Sequence, residues 1–153
     1  MKAVVIFASI TGNTREVAEI LAGFLRGSGV EVVALKAAEF RWGDLESCDI
    51  AVVASYTWGD GELPLEMESV FRAFEEQNVG SVVTGIAGTG DSFYPYFCGA
   101  VDRFRDMLYV HTDLAATLKI ELAPQERDIE RCRKFVETLL ARVRRRCKEK
   151  AEK

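Results

Sequence analysis

Short, uninterrupted apolar runs alternate along this chain with longer amphipathic segments, and that alternation leaves few folds open. Ala3-Val4-Val5-Ile6-Phe7-Ala8 and Ile50-Ala51-Val52-Val53-Ala54 carry no polar residue. A strand with one wet face alternates apolar and polar positions, so such runs belong to strands buried on both faces. Strands are predicted over Lys2–Ser9, Glu31–Lys36, Asp49–Ser55, Ser81–Ala87 and Leu114–Leu122. Between them, apolar residues recur at helical spacing. Val17, Leu21, Phe24 and Leu25 share a face over Asn13–Gly27, and Met67, Val70, Phe71 and Phe74 share one over Leu65–Gln77. Further helices are predicted over Gly99–Leu108 and from Pro124 onward, with a short helical turn at Asp44–Ser47. The last helix carries Ile129, Cys132, Phe135, Val136, Leu139 and Val143 on one stripe. The pattern predicts an α/β, doubly wound, three-layer sandwich: five parallel strands with helices on both faces. Ligands of such sheets bind beyond the C-terminal ends of the strands.

A length of 153 residues suits one domain with a sizeable core. No apolar run approaches the roughly 20 residues of a membrane span. Met1-Lys2 leads straight into the first strand without a signal-peptide pattern, so the cytoplasm is the expected compartment. Cys48, Cys98, Cys132 and Cys147 form no Cys-x-x-Cys pair, and His111 is the single histidine. No zinc-binding spacing results, and reduced thiols are expected. Charge is uneven. Residues 141–153 hold seven Lys/Arg against two Glu, a net of +5, and residues 1–140 hold 13 basic against 22 acidic residues, a net of −9. We therefore divide the chain into a folded body, 1–140, and a basic C-terminal tail, 141–153. An acidic body argues against nucleic acid as the main partner, and a monomer is expected.

Three segments that follow strands carry the chemistry. Ser9-Ile10-Thr11-Gly12-Asn13-Thr14 offers hydroxyls, an amide and a glycine where a helix begins. Backbone N–H groups and the helix dipole favour an anion there. Ser9, Thr11, Asn13 and Thr14 could each donate to phosphate, although the same residue types also cap ordinary helices. A Walker loop would need Gly-Lys-Ser/Thr, which is absent. The second segment, Tyr56–Pro64, places Trp58 just past a buried strand, and Gly59-Asp60-Gly61 gives its backbone unusual freedom. The third, Gly88–Cys98, reads as a tight turn at Gly88-Thr89-Gly90-Asp91 followed by Tyr94, Tyr96 and Phe97. A phosphate cradle and two aromatic plates on one sheet edge suit a flat phosphorylated cofactor, and flavin mononucleotide (FMN) fits best.

At these residues the chain resembles flavodoxins, in particular the short-chain flavodoxins of Bacillus-like bacteria. The matching segments are Thr11-Gly12-Asn13-Thr14, Tyr56 through Gly61, Gly90 through Asp102, and Thr117-Leu118-Lys119-Ile120-Glu121-Leu122. The resemblance covers residues 2–140 and implies the strand order 2-1-3-4-5. It also implies that Ser9–Thr14 bind the FMN phosphate, that Trp58 covers the inner face of the flavin and that Tyr94 covers the outer one. Gly59 would be the peptide that turns its carbonyl to the N5–H of a neutral semiquinone. Asp91 and the backbone of Cys98 would meet the pyrimidine edge. Tyr56, Thr57, Asp60, Thr89, Gly90, Tyr96 and Phe97 complete the expected cofactor-binding set. Two features depart from the family pattern: a shorter connection over Met107–Ala116, and the Arg/Lys-rich tail.

The resemblance implies a low-potential, one-electron carrier rather than an enzyme. It would take electrons from an NADPH-dependent flavodoxin reductase or similar donor and pass them to an unidentified acceptor. The alternative is a flavodoxin-like activator of ribonucleotide reductase or an FMN-dependent reductase, which would favour a Gly-rich second loop over Trp58-Gly59-Asp60. A phosphorylation receiver would need acids at the ends of strands 1 and 3. Ala8-Ser9 and Ala54-Ser55 stand there instead.

Overall fold

The apolar runs build one continuous layer. In the computed structural model, which describes residues 1–153, five strands form a parallel sheet: β1 (Lys2–Phe7), β2 (Glu31–Lys36), β3 (Ile50–Tyr56), β4 (Val83–Gly90) and β5 (Asp113–Glu121). Their order is β2-β1-β3-β4-β5, as expected. The helices are α1 (Asn13–Gly27), α2 (Glu68–Glu76), α3 (Gly99–His111) and α4 (Glu126–Ala151). Successive side chains of a strand point to opposite faces. Ala3, Val5 and Phe7 therefore pack with α1 and α4, while Val4 and Ile6 pack with α2 and α3. The two clusters hold 22 and 20 buried residues, so neither face is the solvent face. Each large apolar side chain buried this way contributes about 1.5–3 kcal/mol.

The free edge of β5 is blunted by two arginines of α4. Arg131 Nη2 donates to the Lys119 carbonyl at 2.8 Å, and Arg142 Nη1 donates to the Leu114 carbonyl at 3.4 Å. An edge strand with its carbonyls occupied is a poor template for a further strand.

Several boundaries differ from those predicted. β4 runs on to Gly90, so Gly88-Thr89-Gly90 is strand and not a tight turn. The glycines are there for space. A Cβ on Gly88 would lie 2.3 Å from Val101 Cγ2 and 2.6 Å from the Ser55 carbonyl oxygen. Residues Leu65–Met67 form a 3-10 turn ahead of α2, because the Met67 N–H closes onto the Pro64 carbonyl at 2.9 Å. Two 3-10 turns, Ala37–Glu39 and Trp42–Leu45, fill the β2–β3 connection. α3 extends to His111, and the short link Thr112 still lets β5 start at Asp113.

No break in α4 falls at residue 140. Its 26 residues span about 39 Å at the usual 1.5 Å rise. Val143 is buried beneath it, and Asp113 at the start of β5 receives both Arg142 and Arg146, the latter at 2.9 Å. Burial pushes the Asp113 carboxyl upward, but the guanidinium groups of Arg146 and Arg142 outweigh it and hold the carboxyl below the ordinary range.

Asp113→Asn keeps the side-chain shape and removes the charge. Amide exchange over residues 143–151 should speed up in this variant at neutral pH, while exchange in α1 stays unchanged. A carboxyl depressed in the folded state contributes fully above its unfolded-state pKa and is lost as pH falls through the folded one. The unaltered protein should therefore show the same loosening only in acid. Equal exchange rates in the two proteins at neutral pH would mean that Val143 alone holds the helix end.

Candidate functional site

The strands deliver three loops to one place. β1, β3 and β4 are neighbours and parallel, so the segments leaving their C-terminal ends emerge side by side.

The segment after β1 turns at Gly12, whose φ of 95° lies in the left-handed region. The Ser9 hydroxyl accepts the Gly12 N–H at 3.1 Å, and the first helical bond runs from the Glu16 N–H to the Gly12 carbonyl. The N–H groups of Thr11, Asn13, Thr14 and Arg15 donate to no protein acceptor. Four free donors at the positive end of a helix fit an anion. The Thr14 side chain turns inward, with its hydroxyl 2.7 Å from that of Thr89, whereas Ile10 stands exposed.

The segment after β3 closes into a narrow hairpin. The Trp58 N–H donates to the Glu62 carbonyl at 2.9 Å, and the Glu62 N–H donates to the Trp58 carbonyl at 2.8 Å. Gly59 and Gly61 make the turn possible, with φ values of 51° and 87°. Trp58 is left 57% exposed at the hairpin's base. Its indole walls a groove of about 410 Å³ that also includes Tyr56, Leu65 and Glu66. The Tyr56 hydroxyl donates to Glu66 at 2.9 Å; burial first, and then this carboxylate, push the phenol up to about 12. Asp60, Glu62, Glu66 and Glu68 are all exposed, which makes this rim acidic.

The segment after β4 is held from within. The Asp91 carboxylate accepts the Phe93 N–H at 2.9 Å, and the Asp91 carbonyl accepts the Tyr94 N–H at 3.1 Å. This tight turn lifts Phe93, Tyr94 and Tyr96 into solvent, with Tyr94 62% exposed. Phe97 folds back against the α2/α3 core. Cys98 adopts a left-handed φ of 53° and opens α3, with its buried thiol directed at the Ile120 carbonyl, 3.9 Å away. Burial pushes that thiol up to about 11, so it stays protonated at neutral pH.

Cross-links join the loops. The Ala100 N–H donates to the Thr57 hydroxyl at 3.1 Å. The Leu122 N–H donates to the Gly90 carbonyl at 2.7 Å. Gly61 and Gly99 meet backbone to backbone: a Cβ on Gly99 would lie 2.6 Å from Gly61 Cα. Sequence reasoning missed this last contact. Two isolated glycines 38 positions apart carry no local signal of it, and only the closeness of the β3 and β4 ends brings them together. Thr57 and Thr14 are engaged with protein, while Trp58, Asp60, Tyr94 and Tyr96 face out. His111 ends α3 at the opposite edge of the sheet.

A sheet of this order that offers free donors at a helix start and two exposed aromatic rings in the loops that leave adjacent strands defines a flavin-nucleotide-binding protein. The flavodoxin family profile matches residues 5–135. A Bacillus subtilis (strain 168) protein described as probable flavodoxin 1 is 36% identical over 146 residues, which cover 92% of this chain and 90% of that one. The flavodoxin of Streptococcus pneumonia TIGR4 superposes with a TM-score of 0.87 at 40% identity, over 93% of this chain and 99% of its own. A short-chain flavodoxin associated with a non-canonical PDU bacterial microcompartment gives 0.89 at 35% identity, over 94% and 99% of the two chains. The chain belongs to the flavodoxin family. That family binds FMN, and the chain is a flavin-binding electron-transfer protein.

The Gly61–Gly99 contact can be tested directly. Overpacking of this kind costs about 1–3 kcal/mol, so Gly99→Ala should weaken flavin binding by about tenfold or more. Quenching of flavin fluorescence measures it. Unchanged affinity in a folded variant would mean that the second and third loops take their positions independently.

Proposed function

We propose that the chain carries electrons one at a time on a single, non-covalently bound FMN between redox partner proteins. The observation that carries this reading is the convergence of free helix-end donors, an exposed indole and an exposed tyrosine at the C-terminal edge of one sheet. Bound there, FMN supplies the redox chemistry; the chain binds, orients and tunes it.

Ser9, Ile10, Thr11, Gly12, Asn13 and Thr14 hold the terminal phosphate, mainly through backbone N–H groups. That neutral cradle needs no counter-cation, because the helix end supplies partial positive charge. Trp58 and Tyr94 cover the ring and exclude water from its faces. Asp91 and the backbone at Cys98 take the pyrimidine edge. Gly59 stands in the left-handed region with nothing within 4 Å of where a Cβ would be. The Gly59–Asp60 peptide is therefore free to turn its carbonyl, a hydrogen-bond acceptor, toward a protonated ring nitrogen. The exposed acids Asp60, Glu62 and Glu66 disfavour added negative charge nearby and hold the potential of the second electron low. The same rim suits a basic docking face on the donor, an NADPH-dependent flavodoxin reductase or similar, and on an acceptor of like charge pattern. The protein acts in this reading as a cytoplasmic monomer and carrier without substrate chemistry of its own. Activation of ribonucleotide reductase, or reductase activity in its own right, is the alternative. The protruding Trp58 hairpin favours the carrier.

Cofactor released by heat should be FMN by mass. FAD in its place would overturn the assignment of a monophosphate cradle. Gly59→Ala introduces a strain of about 1–2 kcal/mol for a side chain at positive φ. It should therefore shift the potential of the first one-electron step by on the order of tens of millivolts, since 59 mV corresponds to a tenfold change for one electron. Equal first-step potentials in spectroelectrochemical titrations of the two proteins would remove Gly59 from this role.

A further inference from the structure

The Thr14–Thr89 hydroxyl pair is not explained by the fold alone. Thr14, the second residue of α1, is 1% exposed, and Thr89, near the end of β4, is 5% exposed. Their oxygens are 2.7 Å apart, and neither hydroxyl has any other hydrogen-bond partner. No buried side-chain polar atom in the protein lacks a partner, so the pair satisfies itself.

Two hydroxyls that share one hydrogen bond leave one hydrogen over. Each hydroxyl is one donor and two acceptors. If Thr14 donates to Thr89, the surplus hydrogen sits on Thr89, which is buried and has no second hydrogen-bond partner. If Thr89 donates to Thr14, the surplus hydrogen sits on Thr14, in the first turn of α1, the helix start at which the N–H groups of Thr11, Asn13 and Arg15 are free. The second arrangement turns the pair outward as a donor. An anion at the helix end selects it, because a hydrogen bond to a charged acceptor is about twice as strong as a neutral one. Chained hydroxyls polarise one another, so the donor that touches the anion is strengthened by the donor behind it.

We propose that Thr89 is a positioning residue for the cofactor phosphate: it donates to Thr14, fixes the direction of the Thr14 hydroxyl hydrogen and sets the discrimination between FMN and riboflavin. This rests on the reading that Thr14 meets the phosphate, and the test separates the two. Thr89 does not itself touch the phosphate. Its neighbours explain its isolation: Gly88 and Gly90 carry no side chain, and Gly90 is overlain by Cys98, whose Sγ would stand 3.0 Å from a Cβ there.

Full-length apoprotein is titrated with FMN and with riboflavin, in the unaltered chain and in Thr89→Val, Thr89→Ser and Thr14→Val. Losing one hydrogen bond that supports a charged acceptor should lower FMN affinity by about five- to tenfold in Thr89→Val. Riboflavin affinity should stay within about twofold, because a neutral ligand that lacks phosphate draws nothing from the relay. Thr89→Ser should restore the FMN preference, which a packing role for the methyl group would not predict. Equal losses for both ligands in Thr89→Val, or no loss, would overturn the proposal. If Thr14→Val leaves the FMN-to-riboflavin ratio unchanged, the underlying phosphate reading of Thr14 fails instead. Should Thr89→Val not fold, the unaltered FMN-bound protein decides. Its Thr14 hydroxyl proton should couple through the hydrogen bond to phosphorus-31 and that of Thr89 should not; coupling at Thr89, or none at Thr14, would overturn the order of the relay.

Discussion

The backbone contact between Gly61 and Gly99 sets the geometry of the sheet edge at which the three loops meet. Neither residue has a side chain, so the hairpin after β3 rests directly on the first residue of α3. That contact fixes the height of the Trp58 hairpin relative to the segment that presents Tyr94. The Thr57–Ala100 hydrogen bond stands beside it and fixes the sideways position. Below, Gly88 lets Val101 of α3 approach β4, which draws the whole α3 start down onto the sheet. The left-handed Cys98 is the joint that makes this possible, since it turns the chain from an outward loop into an inward helix within one residue.

A rigid base carries a compliant rim. The strands and both helical layers are closed by apolar burial on two faces. The rim is held by a few hydrogen bonds, among them the pair across the Trp58–Glu62 hairpin, by the Gly61–Gly99 contact and by glycines at positive φ. Individual hydrogen bonds contribute about 0.5–1.5 kcal/mol net, so the rim can rearrange locally without disturbing the sheet. A protein that transfers electrons on a bound flavin is served by this division, because any local adjustment then stays within a few peptides and costs little reorganisation elsewhere.

The sheet was legible in the sequence because a strand buried on both faces leaves an unbroken apolar run. Val4 to Ala8 and Ile50 to Ala54 are such runs, and their burial is nearly complete. The three loops were legible because turn chemistry and aromatic residues sit next to those runs. The end of β4 was not. Gly88-Thr89-Gly90 has the composition of a turn, yet its glycines answer to Val101, the Ser55 carbonyl and Cys98, which are distant in sequence. The 3-10 start before α2 was equally hidden, since helical periodicity does not distinguish three residues per turn from 3.6 over so short a stretch. The inward turn of Thr14 toward Thr89 depends on a contact across 75 positions. The anchoring of α4 past residue 140 depends on one acid, Asp113, and composition alone reads that stretch as a solvated tail.

The extension of α4 has an electrical consequence. All four helices begin at the loop edge of the sheet, so their peptide dipoles place partial positive charge there and partial negative charge at the far edge. Two groups of ionised side chains do the reverse: the exposed acids Asp60, Glu62 and Glu66 stand at the loop edge, and Arg142, Arg144, Arg145, Arg146, Lys148 and Lys150 lie toward the other, at the end of α4. These two groups of charge oppose the backbone dipoles along the strand direction. A charged body that comes within about one Debye length, ~8 Å at physiological salt, meets a different field at the two edges before the surfaces touch.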